Sequence, residues 1–254
     1  MSDSQLRRIC LVPHLSGVGG MVSFQEKLSS GLHARGIGVC YDLDELPYDC
    51  VLVIGGTRRI DRLFALRRQG IHIFQRLNGM NWLHKVRAHK GKRSSSLRHY
   101  IRSEYGNLIL RIIRSHLADG IVYQSEFAQG WWEREFGKTR VRHTVVYNGV
   151  DLQNYNPDGG HQRPMDVYRV LLVEGSLMGG YETGLESAVQ LAAGLANEFA
   201  PKNDTRIELV VAGRVSPEMK AIYERRIEKS PGVQNFSLIW AGLLSKESIP
   251  EFDR

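Results

Sequence analysis

The chain has 254 residues, 42% of them hydrophobic and 24% charged, with a net charge of +7, values in the globular range that allow one large α/β domain or two of ordinary size. No run approaches the roughly 20 apolar residues that span a bilayer, and the opening MSDSQLRR lacks the apolar core of a signal peptide, so a cytoplasmic protein is expected. The three cysteines, Cys10, Cys40 and Cys50, lie in apolar segments without metal-ligand spacing, which excludes a disulfide framework and predicts reduced core thiols.

Apolar runs of strand length recur along the chain, most of them followed by a segment of helix length. RICLVPH precedes a helix over 21–35, IGVCYDL and CVLVIGG follow, and the second of these leads into a helix over 58–69. Next come IHIFQRL, then DGIVYQS with a helix over 126–136, and HTVVYNG. Continuous apolar strands alternating with helices predict a parallel sheet covered on both faces, a doubly wound α/β domain. The punctuation agrees: Ser125 is placed to cap the helix that Gly137 ends, and Gly36 follows the last position of FQEKLSSGLHAR.

The stretch NYNPDGGHQRPMD is the strongest linker signal, with two prolines and two glycines among polar residues. It divides the chain into domains expected at 1–160 and 161–254. Beyond it the pattern restarts with VYRVLLVEGS, a helix over 182–199, RIELVVAG, a helix over 217–229 and FSLIWAG. Three parallel strands would leave an open sheet edge, so the second domain is expected to be truncated and the chain to be part of a longer protein.

The charge is concentrated. Residues 85–114 hold nine Lys or Arg against one acid, Glu104, leaving 25 basic and 26 acidic residues elsewhere. This window contains a Ser-rich charged loop over 91–96 and then a helix with Ile101, Tyr105, Leu108, Ile112 and neighbouring Ile109 on an apolar stripe. A solvated face, an anionic membrane surface and an anionic acceptor are the three readings of such a run. Nucleic acid is not expected as a partner, because no binding module accompanies the charge.

The first strand breaks into a Gly-rich turn, LSGVGGM, before the first helix. Such a turn sits at the carboxyl end of the sheet, where open α/β folds bind ligands. There Gly17, Gly19 and Gly20 let the backbone approach an anion at a helix N-terminus; the plainer reading is a tight turn and nothing more. The dinucleotide fingerprint is incomplete, since Val22 stands where its third glycine belongs, although Asp42 is placed to hold a ribose. The P-loop pattern is absent, with no Gly-Lys-Ser/Thr following.

The segment VVYNGVDLQNYNP over 145–157 resembles the N-G-V-D-x-x-x-F-x-P signature of retaining family-4 glycosyltransferases, with Tyr155 in place of the usual Phe. PHLSGVGGM looks like that family's phosphate loop, and LADGIVYQSEF, LLVEGSL, LVVAGR and IWAGLLSKESIPEFDR follow in the family's order. The resemblance implies a GT-B architecture of two Rossmann-like domains facing a cleft. It implies transfer of a sugar from a UDP- or GDP-linked donor to a saccharide or lipid-linked acceptor, with retained configuration, no metal and no further cofactor. Gly19 and Gly20 would offer amides to the diphosphate, with preorganised donors and cations doing the work of a metal. The second domain departs from the pattern. Ser176 follows Gly175 where the family has Arg, and LMGGYETG lacks the expected Lys. Arg214, after Gly213 on the next strand, is the candidate substitute.

FQRLNGMNWLHK follows a strand and adds Arg76 and Asn78, for acceptor or phosphate, and His84, for the sugar. The alternatives are a surface ion pair for Arg76 and a solvated helix turn for His84. The Asp42–Leu43–Asp44 stretch matches the Mn²⁺ motif of metal-dependent glycosyltransferases of the other major fold, but its flanks are wrong, and the nine histidines show no zinc spacing. Trp131 and Trp132, adjacent on a helix, cannot share a face and read as one core and one surface residue. Two other functions remain in view: a non-catalytic glycosyltransferase-like module that binds a partner or an anionic surface, and an NAD-dependent oxidoreductase.

Overall fold

The computed structural model of the protein describes residues 7–82, 84–85, 97–153, 155, 166–178, 182–198, 206–229, 235–245 and 248–249. The chain divides into two compact units, Met1–Gly149 and Val150–Arg254, upstream of the linker-based position at 160. Residues 156–165 of that linker lie outside the described residues, as do 86–96 of the basic window, with Lys90, Lys92 and Arg93.

The first unit is built on six strands: β1 Arg8–Val12, β2 Gly38–Cys40, β3 Cys50–Ile54, β4 His72–Leu77, β5 Gly120–Tyr123 and β6 Arg142–Val145. All pair in parallel, in the order β2-β1-β3-β4-β5-β6. The apolar runs of β1 and β3 lack polar alternation because both faces are covered there: neighbours Cys10, Leu11 and Val12 are all buried, as are Val53 and Ile54, whereas β4 exposes His72 and Phe74 and β6 exposes Arg142, His143 and Thr144. The helices are α1 Gly20–His33, α2 Ile60–Arg68, α3 Leu97–Ile112 and α4 Glu126–Phe136. One apolar cluster joins Val12, Val51, Val53 and Ile73 to Leu63 and Leu66 of α2 and Ile109 of α3. Another gathers Leu77, Ile121 and Tyr123 around Trp132. Trp132 is buried while Trp131 is half-buried, the division expected of adjacent helical positions.

Helix ends follow local chemistry. The Ser125 side chain accepts from Ala128 N at 3.1 Å, and Gly137, at φ 74°, ends α4. Gly36 takes φ 70° after α1, a conformation that favours glycine. The run IGVCYDL yields only a three-residue strand, because Tyr41 turns its ring onto His14 at 4.4 Å and donates to Ser29 Oγ at 2.8 Å. Asp42 then turns the chain, accepting from Asp44 N at 3.0 Å.

Helix α3 buries only the C-terminal part of its apolar stripe, Ile109 with Ile112 packed beside it. Asn107 and Ile109 are its buried positions, while Ile101, Tyr105 and Leu108 are exposed. The Asn107 side chain accepts from Asn81 N and donates to Asn81 O, both at 2.9 Å. Two bonds to the Asn81 backbone hold the Asn107 face as well, while the N-terminal part of the stripe stays exposed.

The second unit carries β7 Val167–Ser176, α5 Glu182–Glu198, β8 Arg206–Arg214, α6 Pro217–Glu228 and β9 Phe236–Gly242. Its strands are parallel in the order β7-β8-β9, with Leu172, Val211 and Trp240 in register. Both helices pack on Ile207, Leu209 and Val211, through Leu185, Val189, Ala192 and Ala196 of α5 and Tyr223 and Ile227 of α6. The protein is therefore α/β, with a Rossmann-like parallel sheet in each unit. Among the described residues no helix is long and apolar enough to cross a membrane.

Candidate functional site

In the first unit the chain leaves β1 for β2 on one side and returns to β3 on the other, so the sheet order reverses at β1. The loops at the carboxyl ends of β1 and β3 therefore flank the crevice where open α/β sheets take ligands. The Gly-rich turn lies there. Gly17 has φ 97° and Gly19 φ 151°, which L side chains rarely adopt. A Cβ added at Gly17, Gly19 or Gly20 would meet nothing within 4 Å, so the turn is open to an approaching group. Gly19 is the N-cap of α1 and no side chain caps the helix, which leaves its first amides free for an anion.

The turn is held from behind. Gln25 of α1 is buried, accepts from Leu15 N and donates to Pro13 O, both at 2.8 Å. Those two bonds fix the exit from β1 without using the amides of 17–20.

Arg76, near the end of β4, is 2% exposed. Its guanidinium donates to Asn78 Oδ1, to Gln124 Oε1 at 3.3 Å and to Asn148 Oδ1 at 2.7 Å. It lies 3.6 Å from the centre of the Phe24 ring of α1. Burial pushes it down to about 10, so it stays a cation at neutral pH. A buried cation held by three neutral amide oxygens, with no carboxylate partner among the described residues, is expensive, which makes Arg76 a candidate functional residue. Arg76 thereby ties the ends of β4, β5 and β6 together, including the Asn148 of the N-G-V-D segment, and joins them to the first turns of α1 through Phe24. The sequence singles out Arg76 and Asn78; Gln124 falls inside LADGIVYQSEF without being singled out, and Phe24 is only the first residue of the α1 segment FQEKLSSGLHAR. Asn148 was legible only as a turn residue of the N-G-V-D segment.

His84 is 1% exposed, and its Nε2 lies 2.6 Å from Glu104 Oε1. Its ring meets Tyr100 edge-on at 4.9 Å. It is thus neither a solvated turn residue nor a contact of Arg76. The loop between them is fixed by Trp132, whose Nε1 donates to Asn78 O at 2.6 Å, and by Gly79, where a Cβ would come within 2.8 Å of the Trp131 ring.

The Asp42 and Asp44 pair is taken up by arginines. Asp42 meets Arg59 at 3.3 Å, and Asp44 meets Arg59 at 2.9 Å and Arg62 at 2.8 Å. The Arg59 guanidinium beside Asp44 holds that carboxyl below its ordinary value. Among the described residues no group of His, Cys, Asp and Glu has a metal-binding arrangement.

In the second unit Ser176 and Arg214 are register partners at the ends of β7 and β8. Gly175 precedes them on β7, and the backbone closes here, with Leu177 N donating to Arg214 O at 2.9 Å. Gly213 has φ 154°, and a Cβ there would sit 2.0 Å from Glu174 O, so only glycine fits. The adjacent strand ends thus present the Ser176 hydroxyl and the exposed Arg214 side by side.

No protein-family model matches the chain, and no curated protein matches it. Among solved structures it is similar to TarM, at 11% identity and TM-score 0.49 over 83% of this chain and 37% of that one. It is also similar to trehalose-6-phosphate synthase, solved in work on glycosyltransfer with retention, at 12% identity and TM-score 0.48 over 92% and 55% of the two chains. A third likeness is to a UDP-N-acetylglucosamine 2-epimerase from Rickettsia bellii, at 10% identity and TM-score 0.38 over 95% and 71%. The chain therefore spans 37% of TarM and 55% of the synthase, and at such identities and TM-scores these likenesses carry nothing about its activity.

Proposed function

We propose that this chain belongs to a retaining glycosyltransferase of the GT-B kind, moving a sugar from a UDP- or GDP-linked donor to an acceptor without a metal. The observation that carries the reading is the open, uncapped Gly-rich turn at the reversal of the first sheet, backed by a buried Arg76 that grips the Asn148 of the N-G-V-D segment. The free amides of 17–20 suit a diphosphate leaving group, whose growing negative charge is stabilised by fixed donors in the transition state. Arg76 and Asn78 act as positioning residues beneath that turn, and His84, locked by Glu104, shapes the acceptor side. In the second unit Gly175, Ser176 and Arg214 form the nucleotide-side contact, Arg214 supplying the cation that Ser176 does not.

Calorimetric titration with UDP-glucose, UDP-N-acetylglucosamine, GDP-mannose and NAD⁺ tests this. Binding of a nucleotide sugar, weakened by Gly19→Ala and by Arg214→Ala, is the expected result. Binding of NAD⁺ instead would identify an oxidoreductase, and silence towards every nucleotide would leave a non-catalytic module, for which the absence of the expected Arg and Lys already speaks.

A further inference from the structure

Glu104, the single acid of the basic window, is engaged by His84 at 2.6 Å and by Lys85 at 3.7 Å. The two acids that follow β2, Asp42 and Asp44, are engaged by Arg59 and Arg62 from beyond β3. Arg58, immediately before that pairing, and Arg102, two residues before Glu104, are left over. Both line one cavity of about 340 Å³, together with Asn81, His99, Ser103, Tyr105, Gly106 and Ile109. None of Arg58, His99, Arg102, Ser103 and Tyr105 has a side-chain hydrogen bond, ion pair or ring partner among the described residues.

Two guanidinium groups facing one concavity without a carboxylate repel each other, and an anion between them removes that cost. Gly106 keeps the floor open, since a Cβ there would come within 3.1 Å of Asn81 Nδ2. The buried Ile109 and the half-exposed Tyr105 ring supply an apolar wall beside the cations. The volume sits at the lower end of the 300–1,000 Å³ range of small-molecule sites.

We propose that this cavity binds a phosphate monoester carried on a sugar or polyol. The phosphate lies between Arg58 and Arg102, whose planar forks match its oxygens in pairs. Its charge of about −1.5 to −2 at neutral pH suits two cations better than a single carboxylate does. Ser103 and Asn81 serve the hydroxyls, and the Tyr105 ring takes the apolar face of the ring or polyol. Resting on the sugar-transfer reading, this group is the anionic end of the acceptor, either a soluble sugar phosphate or the headgroup of a lipid.

The test titrates the protein with glucose 6-phosphate and glucose, and measures co-sedimentation with phosphatidylcholine vesicles carrying phosphatidylinositol 4-phosphate or phosphatidylserine. Binding of glucose 6-phosphate but not glucose, weakened about tenfold or more in Arg102→Ala and in Arg58→Ala, establishes the soluble source. Sedimentation with the phosphatidylinositol 4-phosphate vesicles over the phosphatidylserine ones, lost in the same variants, establishes the lipid source. Arg98→Ala, which removes the same charge from the same helix outside the cavity, is expected to leave either affinity unchanged. The proposal is overturned if neither probe binds, or if Arg98→Ala weakens binding as much as Arg102→Ala, which would reduce the effect to general surface charge. Nucleotide-sugar titration of the same variants is read separately: retained donor binding with no phosphate site sinks this inference alone, and lost donor binding in the wild type sinks the sugar-transfer reading.

Discussion

Arg76 concentrates the opposing forces in this protein. Its burial costs solvation, as the downward push on its proton affinity to about 10 records, while three bonds to Asn78, Gln124 and Asn148 offset that cost. If the bonds prevail, Arg76→Met leaves three amide oxygens without a donor and lowers stability by about 2–4 kcal/mol. Arg76→Lys restores the charge but presents a single point donor that cannot span three strand ends, so it recovers only part of the loss. Urea unfolding of the three proteins measures this, and a Met variant as stable as the parent would show that the guanidinium is a burden the fold does not need. The residue itself was legible in the sequence, since FQRLNGMNWLHK follows a strand at the sheet end where ligand loops gather. Its partners were not, because Gln124 and Phe24 come together only through sheet order, and nothing in local spacing encodes which strand ends become neighbours. His84 shows the same limit: its burial depends on Glu104, twenty residues away on α3.

At the scale of the element, punctuation by Ser, Gly and apolar runs placed α1, α4, α5 and α6 to within a residue or two, since caps and periodicity are local properties. The face of α3 was legible only in part: Ile109 and Ile112 of its stripe pack on the core, but the two bonds from Asn107 to the Asn81 backbone carry no local signal, and Ile101, Tyr105 and Leu108 stay exposed. The junction of α5 and α6 is another tertiary choice. Glu186 accepts from Tyr223 Oη at 2.8 Å and from Arg226 at 2.8 Å. The Tyr223 bond, ahead of the Arg226 and Gln190 bonds, holds its carboxyl below the ordinary value of 4.5. A carboxylate with a depressed folded-state value binds fewer protons folded than unfolded under acid conditions, so it contributes stability above 4.5 that is lost as pH falls through the lowered value. Its partial exposure keeps that contribution below about 1 kcal/mol. Urea midpoints of the second unit are therefore expected to fall on acidification below 4.5 more steeply in the parent than in Glu186→Gln, and superimposable pH profiles would remove Glu186 from the account.

For the whole molecule, each buried apolar cluster draws its members from one unit, and cooperative unfolding follows the contacts that must break together. Leu209, fully buried in β8, pairs with Val170 and Leu238 and faces α5 and α6. Truncation at such a site costs about 2–5 kcal/mol through lost transfer energy and an unfilled cavity. In Leu209→Ala the amides of β7, β8 and β9 should exchange with deuterium faster by the factor that this energy sets, about 30-fold or more. The amides of β3 and β4, which draw on Val51, Val53 and Ile73, should keep their protection. Ile73→Ala should give the reverse pattern. Equal acceleration in both sheets would mean that the chain melts as one cooperative body and that its two cores are only geometrically distinct.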